Sequence, residues 1–152
     1  MALPIKRHTA LQPLSRDHHH ALLLCWKIRQ GIKKDIPAKR ISAYSTWFFS
    51  THLLPHFRLE EQYAFPVLGS GSPLIQQAMA EHRQIEGYFT ATELTSPMLE
   101  TAADALEAHI RFEERTLFNA IQSSATPEQL EQILVVHKDE AFCDNEADAF
   151  WN

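Results

Sequence analysis

Apolar residues recur every three to four positions along most of this chain, which is the spacing of one buried face of an α-helix. The first such stripe includes Leu14, Ala21, Leu22, Cys25 and Ile28. No stretch shows the sustained two-residue alternation, flanked by hairpin signals, that is typical of a half-buried strand. The pattern predicts an all-α protein with helices at about 13–33, 37–67, 73–94, 97–122 and 127–142.

The predicted helix starts are marked by a capping side chain followed by proline. This pattern occurs at Ser72-Pro73, Ser96-Pro97 and Thr126-Pro127. Thr126 with Gln129 also predicts a capping box. Gly31 and Gly69 indicate chain breaks, with a turn at 69–72, and Pro55 should kink the second helix.

Short loops between long amphipathic helices favour antiparallel neighbours. We therefore expect an antiparallel up-down-up-down four-helix bundle at about 13–122, with an additional C-terminal helix and an acidic tail at 144–152. At 152 residues the chain is expected to form a single domain, 1–152.

Composition excludes several classes of function. The formal charge of −5 does not favour non-specific binding to nucleic acid or to an anionic membrane. The longest apolar run, residues 21–26, is far shorter than the about 20 residues that span a bilayer. No signal peptide is recognisable, and the two cysteines fit neither a disulfide framework nor a CxxC metal site. A cytoplasmic location is expected.

One ten-residue pattern occurs twice, at 56–65 (HFRLEEQYAF) and at 109–118 (HIRFEERTLF). The copies align without a gap and share one histidine, one arginine, two glutamates and a phenylalanine. Each contains His-x-x-x-Glu, and residues four apart lie side by side on a helix. Each copy therefore presents an imidazole beside a carboxylate, a pair suited to binding a metal ion.

The other two bundle helices each place a histidine, His18 or His82, on the apolar face. With a rise of about 1.5 Å per residue, these histidines and the repeated glutamates lie roughly 8–14 Å from one end of the bundle. The candidate metal ligands are His18, His56, Glu60, His82, His109 and Glu113. Six ligands are too many for one tetrahedral zinc ion and suit two ions bridged by carboxylates. The mixed ligands are consistent with iron, and zinc or manganese stay open.

These motifs resemble those of the hemerythrin-like (HHE cation-binding) domains. The resemblance covers residues 11–122 and rests on Asp17-His18, His56-Phe57 with Glu60-Glu61 and Phe65-Pro66, Glu81-His82, and His109-Ile110 with Glu113-Glu114. It implies two iron ions in a non-haem di-iron centre, with the four histidines as terminal ligands and the two glutamates as bridges.

The chain also departs from the oxygen-carrying hemerythrins. They have a second histidine one turn after the third-helix histidine, where this chain has Glu86, and they use an aspartate one residue after the position of Glu113. Glu86 is thus either an additional metal ligand or a solvated carboxylate. An oxygen-rich site favours ferric iron, which shifts the expectation from oxygen carriage towards redox, sensing or iron handling.

The resemblance therefore predicts a di-iron protein that binds or senses a diatomic ligand, oxygen or nitric oxide. The alternatives are a di-iron oxidoreductase and an iron-handling or regulatory domain without turnover. No catalytic residue is predicted beyond the metal ligands, and no protein partner is indicated.

Several other polar residues have less specific interpretations. His19 and His20 are interpreted as surface residues. His52, one turn before His56, is interpreted as a packed or hydrogen-bonded core histidine, with a role as an alternative ligand or as a group that contacts the ligands left open. His137 could approach the bundle if the fifth helix docks. Glu61 and Glu114 are interpreted as surface residues or as groups that orient the imidazoles.

Overall fold

The computed structural model describes residues 6–137 and 142–152, and the regular structure within them is helical. The described part contains five long helices, in agreement with the prediction, preceded by a 3-10 turn at Thr9–Leu11. In chain order the five are Gln12–Lys33, 38–67, Pro73–Phe89, 96–124 and Pro127–Val136. None of the helices in the described residues is long and apolar enough to cross a membrane.

The second and fourth helices are composite. The second contains Ala38–Phe48 and Leu54–Leu59, with π-helical turns at Phe49–Leu53 and Glu60–Ala64 and a 3-10 turn at Phe65–Val67. The fourth contains Ser96–Phe112 and Phe118–Ser124 around a π-helical turn at Glu113–Leu117. Pro55, which has no N–H to donate, directly follows the hydrogen bond from the Leu54 N–H that closes the first π turn on the Phe49 carbonyl. A kink at Pro55 stays a prediction.

Two predicted helix ends were wrong. The third helix ends at Phe89 rather than near 94, because the Thr90 N–H and hydroxyl both donate to the Glu86 carbonyl and close the last turn. The fifth helix ends at Val136, and the backbone of His137 is extended. Of the rest of its predicted span, residues 138–141 lie outside the described residues.

The helix starts follow the predicted pattern in part. Ser72 precedes the third helix as predicted, but its side chain makes no capping hydrogen bond. The capping box of Thr126 with Gln129 is confirmed. At the fourth helix, Thr95 rather than Ser96 is the capping residue, and its hydroxyl accepts a hydrogen bond from the Met98 N–H. Gly69 adopts a positive φ of 82° in the predicted turn, a conformation in which glycine has no Cβ to strain.

Two hydrophobic clusters occupy the interior. One gathers the start of the first and third helices and the end of the second and fourth, with Leu14, Phe65, Ile75 and Phe118 among its members. The other gathers the opposite portions of the same helices, including Ile28, Phe48, Phe89 and Leu106. The buried histidines and glutamates lie where the two clusters meet along each helix, with His56 and His109 directly beside Phe57 and Ile110 of the second cluster. The chain is therefore a helical bundle, whose up-down-up-down order stays a prediction.

Residues 142–152 pack against the bundle instead of projecting as an acidic tail. Asp144 accepts hydrogen bonds from Lys27 at 2.5 Å and from the Tyr44 hydroxyl at 2.5 Å. Phe150 is only 2% exposed and belongs to one of the two clusters. Its aromatic ring meets Tyr44 at a centroid distance of 6.0 Å. This segment, although acidic in composition, therefore packs on the surface of the bundle through ion-pair, hydrogen-bond and aromatic contacts.

Gly31, predicted to mark a chain break, lies within the first helix instead. A glycine is suited to this position because the packing leaves no room for a side chain. A Cβ atom at this position would stand 2.7 Å from Cδ1 of Ile41 and 2.8 Å from the Phe150 ring. Gly87 of the third helix is the opposite case, with nothing within 4 Å of a Cβ atom.

Gly31→Ala should lower the free energy of unfolding by about 1–3 kcal/mol, because Ile41 and Phe150 must shift. Gly87→Ala should raise it by about 0.5–1 kcal/mol, because alanine loses less backbone entropy in a helix. Urea denaturation followed by circular dichroism measures both. Equal stability of the two variants would contradict the close packing around Gly31.

Candidate metal centre

Four imidazoles and two carboxylates converge in the interior, one or two from each of the first four helices. Every one of the six side chains belongs to a residue that is at most 4% exposed: His18, His56, Glu60, His82, His109 and Glu113. These are the six residues that the sequence proposes as metal ligands, and the structure brings all of them together.

Each inner glutamate contacts two imidazoles, one from its own helix and one from another helix. Oε1 of Glu113 lies 3.1 Å from Nε2 of His18 and 3.0 Å from Nε2 of His109. Oε1 of Glu60 lies 3.2 Å from Nε2 of His56 and 3.3 Å from Nε2 of His82. The two glutamates therefore stand between the pair His18 and His56 and the pair His82 and His109.

The donor atoms form two overlapping groups, and within each group they lie within 4.8 Å of one another. The first group is His18, His56, Glu60 and Glu113, and the second is Glu60, His82, His109 and Glu113. Both glutamates belong to both groups. Such sharing is what two ions bridged by carboxylates require.

The repeated sequence forms the same local structure twice. In both copies the histidine and the glutamate are four residues apart, and a π-helical turn starts at the glutamate. The turns are closed by hydrogen bonds from the Phe65 N–H to the Glu60 carbonyl and from the Phe118 N–H to the Glu113 carbonyl. Single π turns within α-helices occur frequently at functional sites.

The π turns also place an aromatic ring against an imidazole of another helix. Phe65 meets His82, and Phe118 stacks on His18, each at a centroid distance of 5.2 Å. In a regular α-helix with 3.6 residues per turn, a phenylalanine five residues after the glutamate would lie about 1.4 turns further on. Its side chain would then point away from the face that the glutamate occupies. The wider turn moves both side chains towards the same face.

A ring of four outer carboxylates fixes the orientation of the imidazoles. Each carboxylate lies on one helix and accepts a hydrogen bond from Nδ1 of the next histidine in cyclic order. The pairs are Asp17 with His56 at 2.9 Å, Glu61 with His82 at 2.7 Å, Glu81 with His109 at 2.7 Å, and Glu114 with His18 at 2.7 Å. Because Nδ1 donates to a carboxylate, Nε2 is left to face the centre, as metal-ligating histidines require.

Sequence reasoning found two of these four carboxylates. Glu61 and Glu114 follow the repeated glutamates, and their position in the sequence predicts either surface residues or groups that orient imidazoles. The structure shows the second role, because each accepts from an imidazole Nδ1. Asp17 and Glu81 were missed as partners of an imidazole. Each directly precedes a candidate ligand histidine, and that adjacency was the available signal.

A third layer of residues holds the outer carboxylates in place. Glu114 pairs with Arg7 at 3.2 Å, and Glu61 pairs with Arg83. Glu81 accepts from the Gln77 amide at 3.0 Å, and Asp17 contacts His137 at 2.7 Å. His137 therefore does reach the bundle through the fifth helix, although it joins neither group of donor atoms.

The charges of the inner groups are strongly coupled. Burial raises the pKa of Glu60 to about 8, and the nearby Glu113 adds to the shift. Burial acts to lower the pKa of His109, but the charge of Glu113 outweighs it and raises the pKa to about 10. Burial acts to raise the pKa of Glu113, yet His109 brings it well below its ordinary value. At neutral pH the metal-free centre thus retains protons that a metal ion must displace.

Several inner atoms have no hydrogen-bond partner among the described residues, because the contacts of 3.0–3.3 Å between imidazoles and glutamates lack hydrogen-bond geometry at these atoms. They are both carboxylate oxygens of Glu60, Oε2 of Glu113, and Nε2 of His82 and of His109. Buried polar atoms without partners are rare and costly, and each needs a physical explanation. These atoms face one another with the nitrogen and oxygen donors that iron, zinc and manganese bind. The residues therefore fit a metal pair.

Glu86 lies outside both groups of donor atoms. Its carboxylate pairs with Arg58 and with Arg83, each at 2.8 Å. The structure thus engages Glu86 in ion pairs and does not bring it to the candidate ligands.

The remaining histidines differ in their surroundings. His19 is exposed, as predicted. His20, also predicted to lie on the surface, is half-buried instead, and its ring stacks on Phe142 at 4.2 Å. His52 is packed among aromatic rings, at 5.2 Å from Trp47 and 4.7 Å from Phe142.

The fold is a helical bundle, and its buried imidazoles form two groups of donor atoms that share the same two glutamates. These features define a class of metal-binding protein. The chain belongs to the family described as hemerythrin HHE cation binding domain, whose sequence model matches residues 9–121. The matched stretch contains all six candidate ligands and the four outer carboxylates. Comparisons with curated proteins and with solved structures give no significant match.

Glu81→Gln should weaken metal binding by about 10–100-fold, because an amide orients the His109 imidazole less firmly than a carboxylate does. Glu86→Gln is the matched comparison, since Glu86 contacts arginines and no imidazole. Competition with a chelator for zinc or ferrous iron measures the affinities. An equal loss in Glu86→Gln would instead support Glu86 as a ligand.

The metal-free protein should become less stable as the pH rises from about 7 towards about 10. The raised pKa values of Glu60, about 8, and of His109, about 10, mean that the folded protein binds more protons than the unfolded chain does. The free energy of unfolding then falls with pH until both groups have lost their protons. The loss through His109 begins above its ordinary pKa of 6.5.

Bound metal replaces those protons, so the metal-loaded protein should depend less on pH over the same range. Its apparent metal affinity should rise about tenfold per pH unit for each proton displaced. Melting temperatures of both forms at a series of pH values test this expectation. A metal-free melting temperature that stays level or increases between neutral and alkaline pH would contradict it.

Proposed function

We propose that this protein is a non-haem di-iron protein that binds or senses a diatomic ligand, oxygen or nitric oxide. The observation that supports it most is the sharing of Glu60 and Glu113 between two histidine pairs. Membership of the hemerythrin family supports iron as the metal, and zinc or manganese remain the alternatives to be tested. A reducing cytoplasm is the proposed location, in keeping with the free thiols of Cys25 and Cys143.

The residues of the chain would hold and orient the ions. The imidazoles point Nε2 inward because the outer carboxylates bind Nδ1, and the glutamates lie between the two positions. When bound, an iron pair supplies the electrons and the coordination position for a diatomic ligand. The protein supplies a centre shielded from water, since the six donor residues are almost entirely buried.

The two halves of the centre differ in access. His82 is covered by Phe57, whose ring stacks on it at a centroid distance of 3.8 Å and also meets His109 at 5.7 Å. His18 and His56, in contrast, line a cavity of about 580 Å³. We therefore infer that a small ligand reaches the centre on the side of His18 and His56.

The same cavity favours a second candidate, a di-iron oxidoreductase. Its volume is far larger than a diatomic ligand needs and falls within the usual range for organic ligands, about 300–1,000 Å³. An oxidoreductase would show turnover that depends on a reductant, whereas a binding or sensing protein would not.

His56→Ala and His109→Ala should each remove at least half of the bound metal, because each belongs to a different donor group. His19→Ala should retain all of it, since His19 is exposed and contacts neither group. Metal content by plasma mass spectrometry, on protein made without a tag, gives the ratio per chain. Retention of about two ions per chain in both variants would show that the ligand assignment is wrong.

The ligand itself can be tested on iron-loaded, reduced protein by adding nitric oxide or oxygen in known amounts. A saturable and reversible change of the absorption spectrum, without consumption of reductant, supports binding or sensing. Continued consumption of reductant supports the oxidoreductase. Bound iron without either response would favour an iron-handling or regulatory domain.

A further inference from the structure

The cavity of about 580 Å³ has features that a diatomic ligand does not require. It is bounded by the first and second helices, by His137 after the fifth helix, and by Phe142. His18 and His56 form its inner side, so its contents would lie next to one half of the candidate metal centre. The remaining surface consists of apolar side chains, further imidazoles, and the polar residues Arg16, Asp17 and Thr51.

Flat rings form one continuous wall of this cavity, here called the aromatic wall: His20, Phe48, His52 and Phe142. Phe142 links them. Its ring stacks on His20 at 4.2 Å with an interplanar angle of 14°, and it meets His52 at 4.7 Å and Phe48 at 5.9 Å. Aromatic rings favour other aromatic rings in stacked or edge-to-face geometry. The wall therefore suits a planar aromatic molecule.

Two polar atoms of the wall lack partners among the described residues. Nδ1 of His20 and Nε2 of His52 are buried and make no hydrogen bond there. Burial lowers the pKa of His52, which favours its neutral ring. A neutral imidazole nitrogen either donates or accepts a hydrogen bond, depending on the tautomer. Each is suited to a hydroxyl group, which can do both.

The charge of the lining argues against an anionic occupant. Asp17 lines the cavity with a carboxylate whose oxygen contacts Nδ1 of His56 at 2.9 Å and Nε2 of His137 at 2.7 Å, and such a group repels an anion. Arg16, which also lines the cavity, is exposed to solvent and has interactions of its own.

We infer that this cavity is a binding site for a small uncharged aromatic alcohol, of the phenol or hydroquinone class. The ring lies against the aromatic wall, and the hydroxyl group bonds to His20 or His52. The site does not depend on which metal the centre holds, and its failure would leave the proposal of a di-iron centre unchanged.

Isothermal titration calorimetry with phenol tests the inference on both the metal-loaded and the metal-free protein. Cyclohexanol, which keeps the hydroxyl without the aromatic ring, and benzoate, which keeps the ring with a negative charge, are the matched probes. We expect saturable phenol binding with a dissociation constant of roughly 1 mM or lower, and binding about tenfold weaker for the other two. Equal binding of all three, or none of phenol, would overturn the inference.

Three variants locate the binding. His20→Leu and His52→Leu should each weaken phenol binding by about tenfold, through the loss of the hydrogen-bonding nitrogen. Thr51→Trp should abolish it, because Thr51 is an exposed residue of the cavity lining that a large side chain would obstruct. His19→Leu is the control, since His19 is exposed and outside the lining.

The melting temperature and metal content of each variant show whether the fold is retained. Undiminished phenol binding in Thr51→Trp and in both histidine variants would place the phenol elsewhere and overturn the inference. The ring of His19 meets that of His20 at 5.6 Å, so a small effect of His19→Leu is expected. A loss as large as that of His20→Leu and His52→Leu would overturn the inference, because it would show that their nitrogens do not bind the phenol.

Discussion

Glu60 and Glu113 have no exposed surface, and a buried carboxylate is expensive unless charge and hydrogen bonds compensate for the lost water. The surrounding residues provide that compensation in layers. Imidazoles from four helices meet the glutamates, outer carboxylates accept from the imidazoles, and the carboxylates are held by Arg7, Gln77, Arg83 and His137. The innermost nitrogens and oxygens still lack partners among the described residues, and positive metal ions would complete the compensation.

This layered arrangement is regular in its contacts but unequal in its surroundings. Every imidazole has one carboxylate behind it and one glutamate in front. Nevertheless, Phe57 covers the half at His82, whereas a cavity opens beside His18 and His56. The difference arises partly within the repeated motifs, where Phe57 of the first copy corresponds to Ile110 of the second, and partly from His137 and Phe142, which line the cavity. The residues that the copies share thus build the centre, and the residues that differ, together with the segments after the bundle, determine how it is reached.

The sequence was most informative where the relevant geometry is local. The pairs His56 with Glu60 and His109 with Glu113 follow from helical spacing alone, and His18 follows from its place on the apolar stripe. The outer carboxylates are harder to predict, because Asp17 and Glu81 act on a neighbouring helix and their partners depend on how the helices pack. The cavity wall could not be predicted, since His20 meets Phe142 across more than a hundred residues of sequence.

The π turns show how tertiary packing overrides a local preference. The residues after Glu60 and Glu113 contain no proline or glycine that would interrupt an α-helix before Phe65 or Phe118, so sequence spacing predicts a regular helix there. Each turn nevertheless widens, and the phenylalanine that closes it packs on an imidazole of another helix. Burial of an aromatic ring against a histidine outweighs the loss of regular α-helical hydrogen bonding. The same packing places an aromatic ring against His18 and against His82, one imidazole in each half of the centre.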